Sequence, residues 1–190
     1  MDINNEHQPQ IKGKLNFADG DDFYIFGNID ETIPEAIIMP LRKKLVERRC
    51  QHIKLPINIH ISSYGGRVDY CFEIIGLIEE FKKLGVEVKT YTHSVACSAG
   101  SLIAVTGSKR YANKRAFHLL HFARGTGYYF HNPEMIDRNA NHMKFIQKEL
   151  VDIYKQYTKL KDIPAKLLAD NYMINGGEAL KKAGLIDEIL

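Results

Sequence analysis

Between Ile57 and Tyr91 the chain changes its hydrophobic period twice, and this stretch limits the possible folds more than any other. Ile57-Asn58-Ile59-His60-Ile61 alternates apolar with polar residues, the period of two by which a strand buries one face. Ser62-Ser63-Tyr64-Gly65-Gly66 ends the alternation, and Val68, Cys71, Phe72, Ile75, Ile78 and Phe81 then recur at helical spacing until Gly85. Val86-Glu87-Val88-Lys89-Thr90-Tyr91 alternates again. Strand, glycine turn, helix and strand, in that order and length, predict a right-handed crossover between two parallel strands. The expected fold class is α/β.

Other segments extend the pattern. Phe23-Tyr24-Ile25-Phe26 before Gly27 reads as a buried strand, and Thr32-Ile33-Pro34-Glu35 has capping-box spacing for a helix running to about Arg49. Pro40 lies inside that helix and predicts a kink or a late start, because it lacks a backbone donor. A further strand-to-helix passage spans His93 to Gly107, and an apolar stretch runs from Ala116 to Phe122. After a Gly/Tyr-rich loop, Asn132-Pro133-Glu134 opens a long helix with Met143, Ile146, Leu150, Tyr154 and Tyr157 on one face. Short elements near 163–169 and 177–183 and the ending Leu185-Ile186-Asp187-Glu188-Ile189-Leu190 complete the chain. Residues 1–21 are polar enough to read as a flexible tail, and no linker or repeat divides residues 22–190, so one domain is expected.

Composition excludes several classes. The 190 residues are 45% hydrophobic and 26% charged, enough for one core. No apolar run reaches the roughly 18–20 residues of a membrane helix, and the opening MDINNEHQPQ lacks a signal-peptide pattern, so a cytoplasmic protein without membrane contact is expected. Basic and acidic residues, 26 against 23, are interspersed, which gives no positive support for nucleic acid binding. Cys50, Cys71 and Cys97 form no C-x-x-C pair and are expected to be reduced thiols. The eight histidines show no ligand-like spacing, so neither a metal nor another cofactor is expected.

Two strand-to-helix turns are candidates for chemistry. Glycines in Ser62-Ser63-Tyr64-Gly65-Gly66 can turn backbone N–H groups toward an anion, although taken alone the motif is better explained by a tight turn needing positive φ. In Ala96-Cys97-Ser98-Ala99-Gly100-Ser101, a serine between small residues before an apolar helix fits an exposed nucleophile or a simple N-cap. On local composition Ser94 and Ser101 are nearly as eligible as Ser98. His118 and His121 flank Leu119-Leu120, so strand alternation sends them to opposite faces and at most one can face a serine on the turn.

Taken in order, Ile61-Ser62-Ser63-Tyr64-Gly65-Gly66, Ser94-Val95-Ala96-Cys97-Ser98-Ala99-Gly100, Gly107-Ser108-Lys109-Arg110-Tyr111 and Leu119-Leu120-His121 resemble the Clp protease proteolytic subunit family, ClpP. The likeness runs from about Phe23 to Leu190 and includes Gly177-Glu178-Ala179 and Ala183-Gly184-Leu185-Ile186-Asp187. It implies the fold shared with crotonases, a spiral of ββα units with a protruding handle helix. It also implies a serine endopeptidase acting on small peptides or unfolded proteins inside stacked seven-fold homo-oligomeric rings. Ser98 falls on the family's nucleophile and His121 on its general base, with His118 facing away. The N–H groups of Gly66 and Ala99 fall on the oxyanion hole. Gly125-Thr126-Gly127-Tyr128-Tyr129-Phe130 corresponds to the handle region, where rings pair and a peptide lies as an added strand.

The family's aspartate falls on Asn171, with Asp170 before it as the alternative third member. Asn171 would accept the His121 Nδ1–H through its amide oxygen and supply no charge. Tyr64 stands for the family's usual proline, Ser94 for a usual glycine, and two residues are missing between Gly107 and Lys109. The first 21 residues do not match the axial segment that couples such rings to an ATP-driven AAA+ unfoldase. These departures motivate an alternative, a catalytically weak subunit serving as structural ring partner of an active paralogue. A crotonase-type acyl-CoA enzyme would need acid/base carboxylates near the glycine turns, where this chain has a Ser/His pair.

Overall fold

The computed structural model describes residues 15–124, 133–168 and 171–190. Strands β1 (Asn16–Asp19) and β2 (Asp22–Ile25) form an antiparallel hairpin. A π-helical turn, Pro34–Ile38, leads into α1 (Met39–Gln51). Next come β3 (Ile57–Ser63), α2 (Val68–Lys83), β4 (Val88–Cys97) and α3 (Ala99–Val105). The strands β5 (Lys109–Ala112) and β6 (Phe117–Leu120) precede the long α4 (Pro133–Tyr157). Finally α5 (Ile163–Leu168), β7 (Tyr172–Asn175), α6 (Gly177–Lys182) and β8 (Glu188–Ile189) close the chain.

Among the described residues, eight strands join one sheet in the order β1-β2-β3-β4-β5-β8, with β6 between β4 and β7 off that path. The predicted crossover is present: β3 and β4 pair in parallel through Ile57↔Val88 to Ile61↔Thr92. β4 is a single ten-residue strand, where the sequence pattern reads as two segments. Its first half pairs with β5 (Lys89↔Lys109 to Thr92↔Ala112) and its last residues with β6 (Val95↔Phe117 to Cys97↔Leu119). The change of partner coincides with a register shift against β3, where Ile61↔Thr92 is followed by Ser63↔Ala96.

The core lies between the sheet and its helices. Ile25, Ile59 and Ile61 from the strands meet Ile37 and Leu41 before and within α1, and Cys71, Ile74, Ile78 and Phe81 on α2, all fully buried. Every residue of α3 is buried, which explains why it reads as apolar throughout. On α4, residues 134–142 are exposed, whereas Ile146, Leu150 and Tyr154 are buried. A 25-residue helix spans about 37 Å, so its first third stands clear of the body like a handle.

One sequence expectation changes here and another is met. Residues 15–21 are not a tail, because β1 extends the sheet edge and buried Asn16 donates from Nδ2 to Asn28 O at 3.0 Å. Its partner groups lie on a later turn, which no pattern within the four residues Asn16-Phe17-Ala18-Asp19 could show. As the sequence allows, α1 starts late, at Met39, with Pro40 in its first turn, and a π-helical turn directly upstream leads into it.

The far face of the sheet carries a row of rings, Phe17, Tyr24, His60, Tyr91 and Tyr111, one from each of β1 to β5. Successive centroids lie 4.5, 4.6, 4.8 and 5.0 Å apart, so each cross-strand register is reinforced by a stacked pair.

Arg110 on β5 fastens the last strand. Its Nη2 donates to Asp187 Oδ1 at 2.6 Å, its Nε to Oδ2 at 3.0 Å, and its Nη1 to Gly184 O at 2.8 Å. The Arg110 hydrogen bonds hold the Asp187 carboxyl below its usual range despite partial burial. With its folded-state pKa below the unfolded value of about 3.9, Asp187 contributes stability above that value and loses it as pH falls through the folded-state pKa. Asp187→Asn is therefore expected to lower Tm by a few degrees at most at pH 7. Thermal melts from pH 7 to 3 should show the gap to wild type closing below about pH 4; a gap constant with pH would contradict the clamp.

Candidate active site

Ser98 follows the last residue of β4 and caps α3 with φ 52° and ψ −123°, a conformation costly for a residue with a side chain. Such strain is of order 1–3 kcal/mol and persists only where the surroundings overdetermine it. Here its N–H donates to Leu119 O at 2.8 Å, and its carbonyl accepts from Ser101 N at 3.0 Å and Leu102 N at 3.2 Å. The turn is thus pinned to β6 on one side and wound into α3 on the other.

The glycine turn packs directly against it. A Cβ on Gly65, where φ is 99°, would sit 2.7 Å from Ser98 Cβ and 2.8 Å from Cys97 O. A Cβ on Gly66 would sit 2.2 Å from Ile29 O. Gly65 O accepts from Ile29 N at 2.9 Å. In the same trans peptide, the Gly66 N–H must point the opposite way, away from Ile29. The Ala99 N–H belongs to the first turn of α3, where no intrahelical acceptor exists.

Gly66, Ser98, Ala99 and His121 line one open cavity of about 640 Å³. Leu102, Met143, Ile146 and Leu150 give it an apolar wall, and Asp30, Arg67 and Arg124 add charge. Strand register brings the serine and histidine to the same end of the sheet: Cys97 pairs with Leu119, Ser98 is one residue beyond the former and His121 two beyond the latter. Of the three serines left open by the sequence, Ser98 alone lines this cavity. Ser94 Oγ meets Ser62 Oγ at 2.6 Å, and Ser101 is fully buried, bonded to His118.

His118 is also fully buried, its Nδ1 3.0 Å from Ser101 Oγ and its Nε2 3.1 Å from Thr92 Oγ1. Burial, with Arg110 adding to it, pushes its pKa down to about 3, so the ring is neutral. Burial pushes the thiols of Cys71 and Cys97 upward, the opposite of what a nucleophile needs. Sequence reasoning missed the Ser101–His118 contact, since no local pattern links a helix position to a strand on a different chain segment.

Asn171, exposed at φ 61°, immediately precedes β7. β6 and β7 are antiparallel with Leu120↔Tyr172, and one more step of that register sets position 121 across from 171. Asp170 and the stretch Gly125–Phe130 lie outside the described residues. Among the described residues, no three His, Cys, Asp or Glu side chains gather as a metal-binding group, and no helix is long and apolar enough to cross a membrane.

A serine on a strained strand-to-helix turn, sharing a cavity with a histidine and two backbone-rich turns on an α/β sheet, is an arrangement suited to acyl transfer. The family model for Clp protease matches residues 17–190, and the chain belongs to that family. The fold is accordingly the ClpP/crotonase-like one. No curated protein matches the chain.

Gly65→Ala adds an atom inside contact distance at a left-handed backbone position and is expected to destabilise by about 2–4 kcal/mol. Gly76→Ala, in α2 with open space around the new atom, is expected to stabilise by about 0.5–1 kcal/mol. Urea unfolding of the two variants checks the contrast, and equal effects would contradict the close approach at Gly65.

Proposed function

We propose that this chain is a ClpP-like serine endopeptidase subunit that hydrolyses small peptides or unfolded chains within a ring-shaped chamber. The observation that carries the reading is the strained Ser98 turn opening into the same cavity as His121, Gly66 and Ala99. Family membership over residues 17–190 supports the peptidase class and the assembly into stacked rings.

In this mechanism His121 takes the Ser98 hydroxyl proton as Oγ attacks the peptide carbonyl. The Gly66 and Ala99 N–H groups hold the oxygen that becomes negative in the tetrahedral intermediate. His121 then returns the proton to the leaving amine, and water, activated by the same imidazole, releases the acyl group. The apolar wall of Leu102, Met143, Ile146 and Leu150 would receive the side chain before the scissile bond. Asn171, or Asp170 if the loop shifts by one residue, would orient the His121 ring. An AAA+ unfoldase feeding the chamber belongs to the same proposal.

A fluorophosphonate probe tests the chemistry. The assembled wild type is expected to be labelled on one serine, and Ser98→Ala to lose the label and peptidase activity while keeping its mass in solution. An assembled ring that takes no label points to the structural-partner alternative, which mixing with an active paralogue and weighing the product would confirm. Replacing Asn171 with a carboxylate supplies the missing charge beside the imidazolium. Asn171→Asp is expected to raise kcat by at least about tenfold if Asn171 is the third member, given the roughly 10⁴-fold effect of the reverse change in a serine protease of another fold. A kcat equal to wild type assigns the role elsewhere.

A further inference from the structure

We propose that His118 is a positioning residue for the Ser98–His121 chemistry, tying the serine turn, the base-bearing strand and the handle helix together through one buried hydroxyl–imidazole chain. The proposal rests on the peptidase reading above.

Thr92, Ser101, His118 and Tyr154 are each no more than 1% exposed, and they come from β4, α3, β6 and α4. The His118 ring bridges Thr92 Oγ1 and Ser101 Oγ, and the Tyr154 hydroxyl lies beside Ser101 in the same buried layer. Their positions along the chain matter. Ser101 is three residues after Ser98, and His118 is three before His121. Thr92 stands where the β4 register shifts, and Tyr154 is one helical turn beyond cavity-lining Leu150. One imidazole on β6 therefore links β4 to α3, and through Ser101 the layer reaches α4, which carries part of the cavity's apolar wall.

A neutral ring suits this task. It presents one donor and one acceptor, so with rotatable hydroxyls on both sides it completes a directional chain without burying a charge. Apolar side chains of the same volume would fill the layer but would leave α3 free to shift along β6 by fractions of an ångström. Acyl transfer tolerates little of that, since reacting groups must be held within roughly 0.5 Å. Loss of the chain should slow the chemical step while leaving substrate binding to the cavity wall largely intact.

Two variants each delete a single oxygen or hydroxyl: Ser101→Ala and Tyr154→Phe. In assembled rings of wild-type mass, each is expected to lower kcat and the fluorophosphonate labelling rate by about 10–100-fold, with KM within about twofold. The double variant should be scarcely slower than the worse single one, because both cut the same chain. Tyr154→Phe keeps the ring and its packing, and carries the test alone if Ser101→Ala fails to assemble. A merely structural role would lower Tm and leave the rate per folded ring unchanged, and that result overturns the inference. Wild-type rings that take no label instead overturn the peptidase reading, and the inference with it.

Discussion

Along one edge, β4 pairs first with β5 and then with β6, and the switch falls at the register shift between Thr92 and Ala96. A straight strand would keep one neighbour for its whole length. Because β4 diverges, β6 can enter beside its last three residues, and Leu119 O becomes the acceptor for Ser98 N–H. That bond holds Ser98 at the end of the strand in a conformation it would not adopt alone. The strand that supplies it is also the one that delivers His121. Geometry at the cavity thus depends on how a sheet changes partner, some distance from any reacting group.

The same constraint explains the glycine turn. Gly65 must be bare because Ser98 Cβ and Cys97 O already occupy the space where its side chain would go. Ile29 presses on Gly66 from the other side, so the turn is held between β4 and the segment after β2. Strain in the serine turn and close approach in the glycine turn are one arrangement seen from two strands. Neither would survive in a flexible loop, and both are supported by a helix, α3, with every residue buried.

What the sequence made legible follows from range. The β3–α2–β4 unit is local, and its periods and glycines predict β3, α2 and the start of β4 within a few residues, although β4 runs on to Cys97. Placement of Ser98 between a strand and an apolar helix was legible for the same reason. The edge strand β1 was not, since buried Asn16 owes its burial to Asn28 O and Thr32 Oγ1, which local pattern cannot supply. β7 was missed because four residues with alternating exposure carry too little signal beside two short helices. The choice among Ser94, Ser98 and Ser101 likewise needed the fold, which sends one to the far face, one to the cavity and one into the core.

His118 and His121 show how far identical side chains can diverge over three residues. β6 turns the first inward against α3, where desolvation opposes a proton and hydroxyls satisfy both ring nitrogens. The second lies past the last residue of the strand, at the rim of an open cavity that contains Ser98. A buried ring that stays neutral can define distances, because its hydrogen bonds do not change with pH in the working range. A ring that is to accept and return a proton needs the contrary setting, with access to a donor and to solvent. Strand parity and the end of β6 at Leu120 separate the two rings, and the two settings suit different properties of imidazole: directionality in the core and, in the proposed mechanism, basicity at the rim.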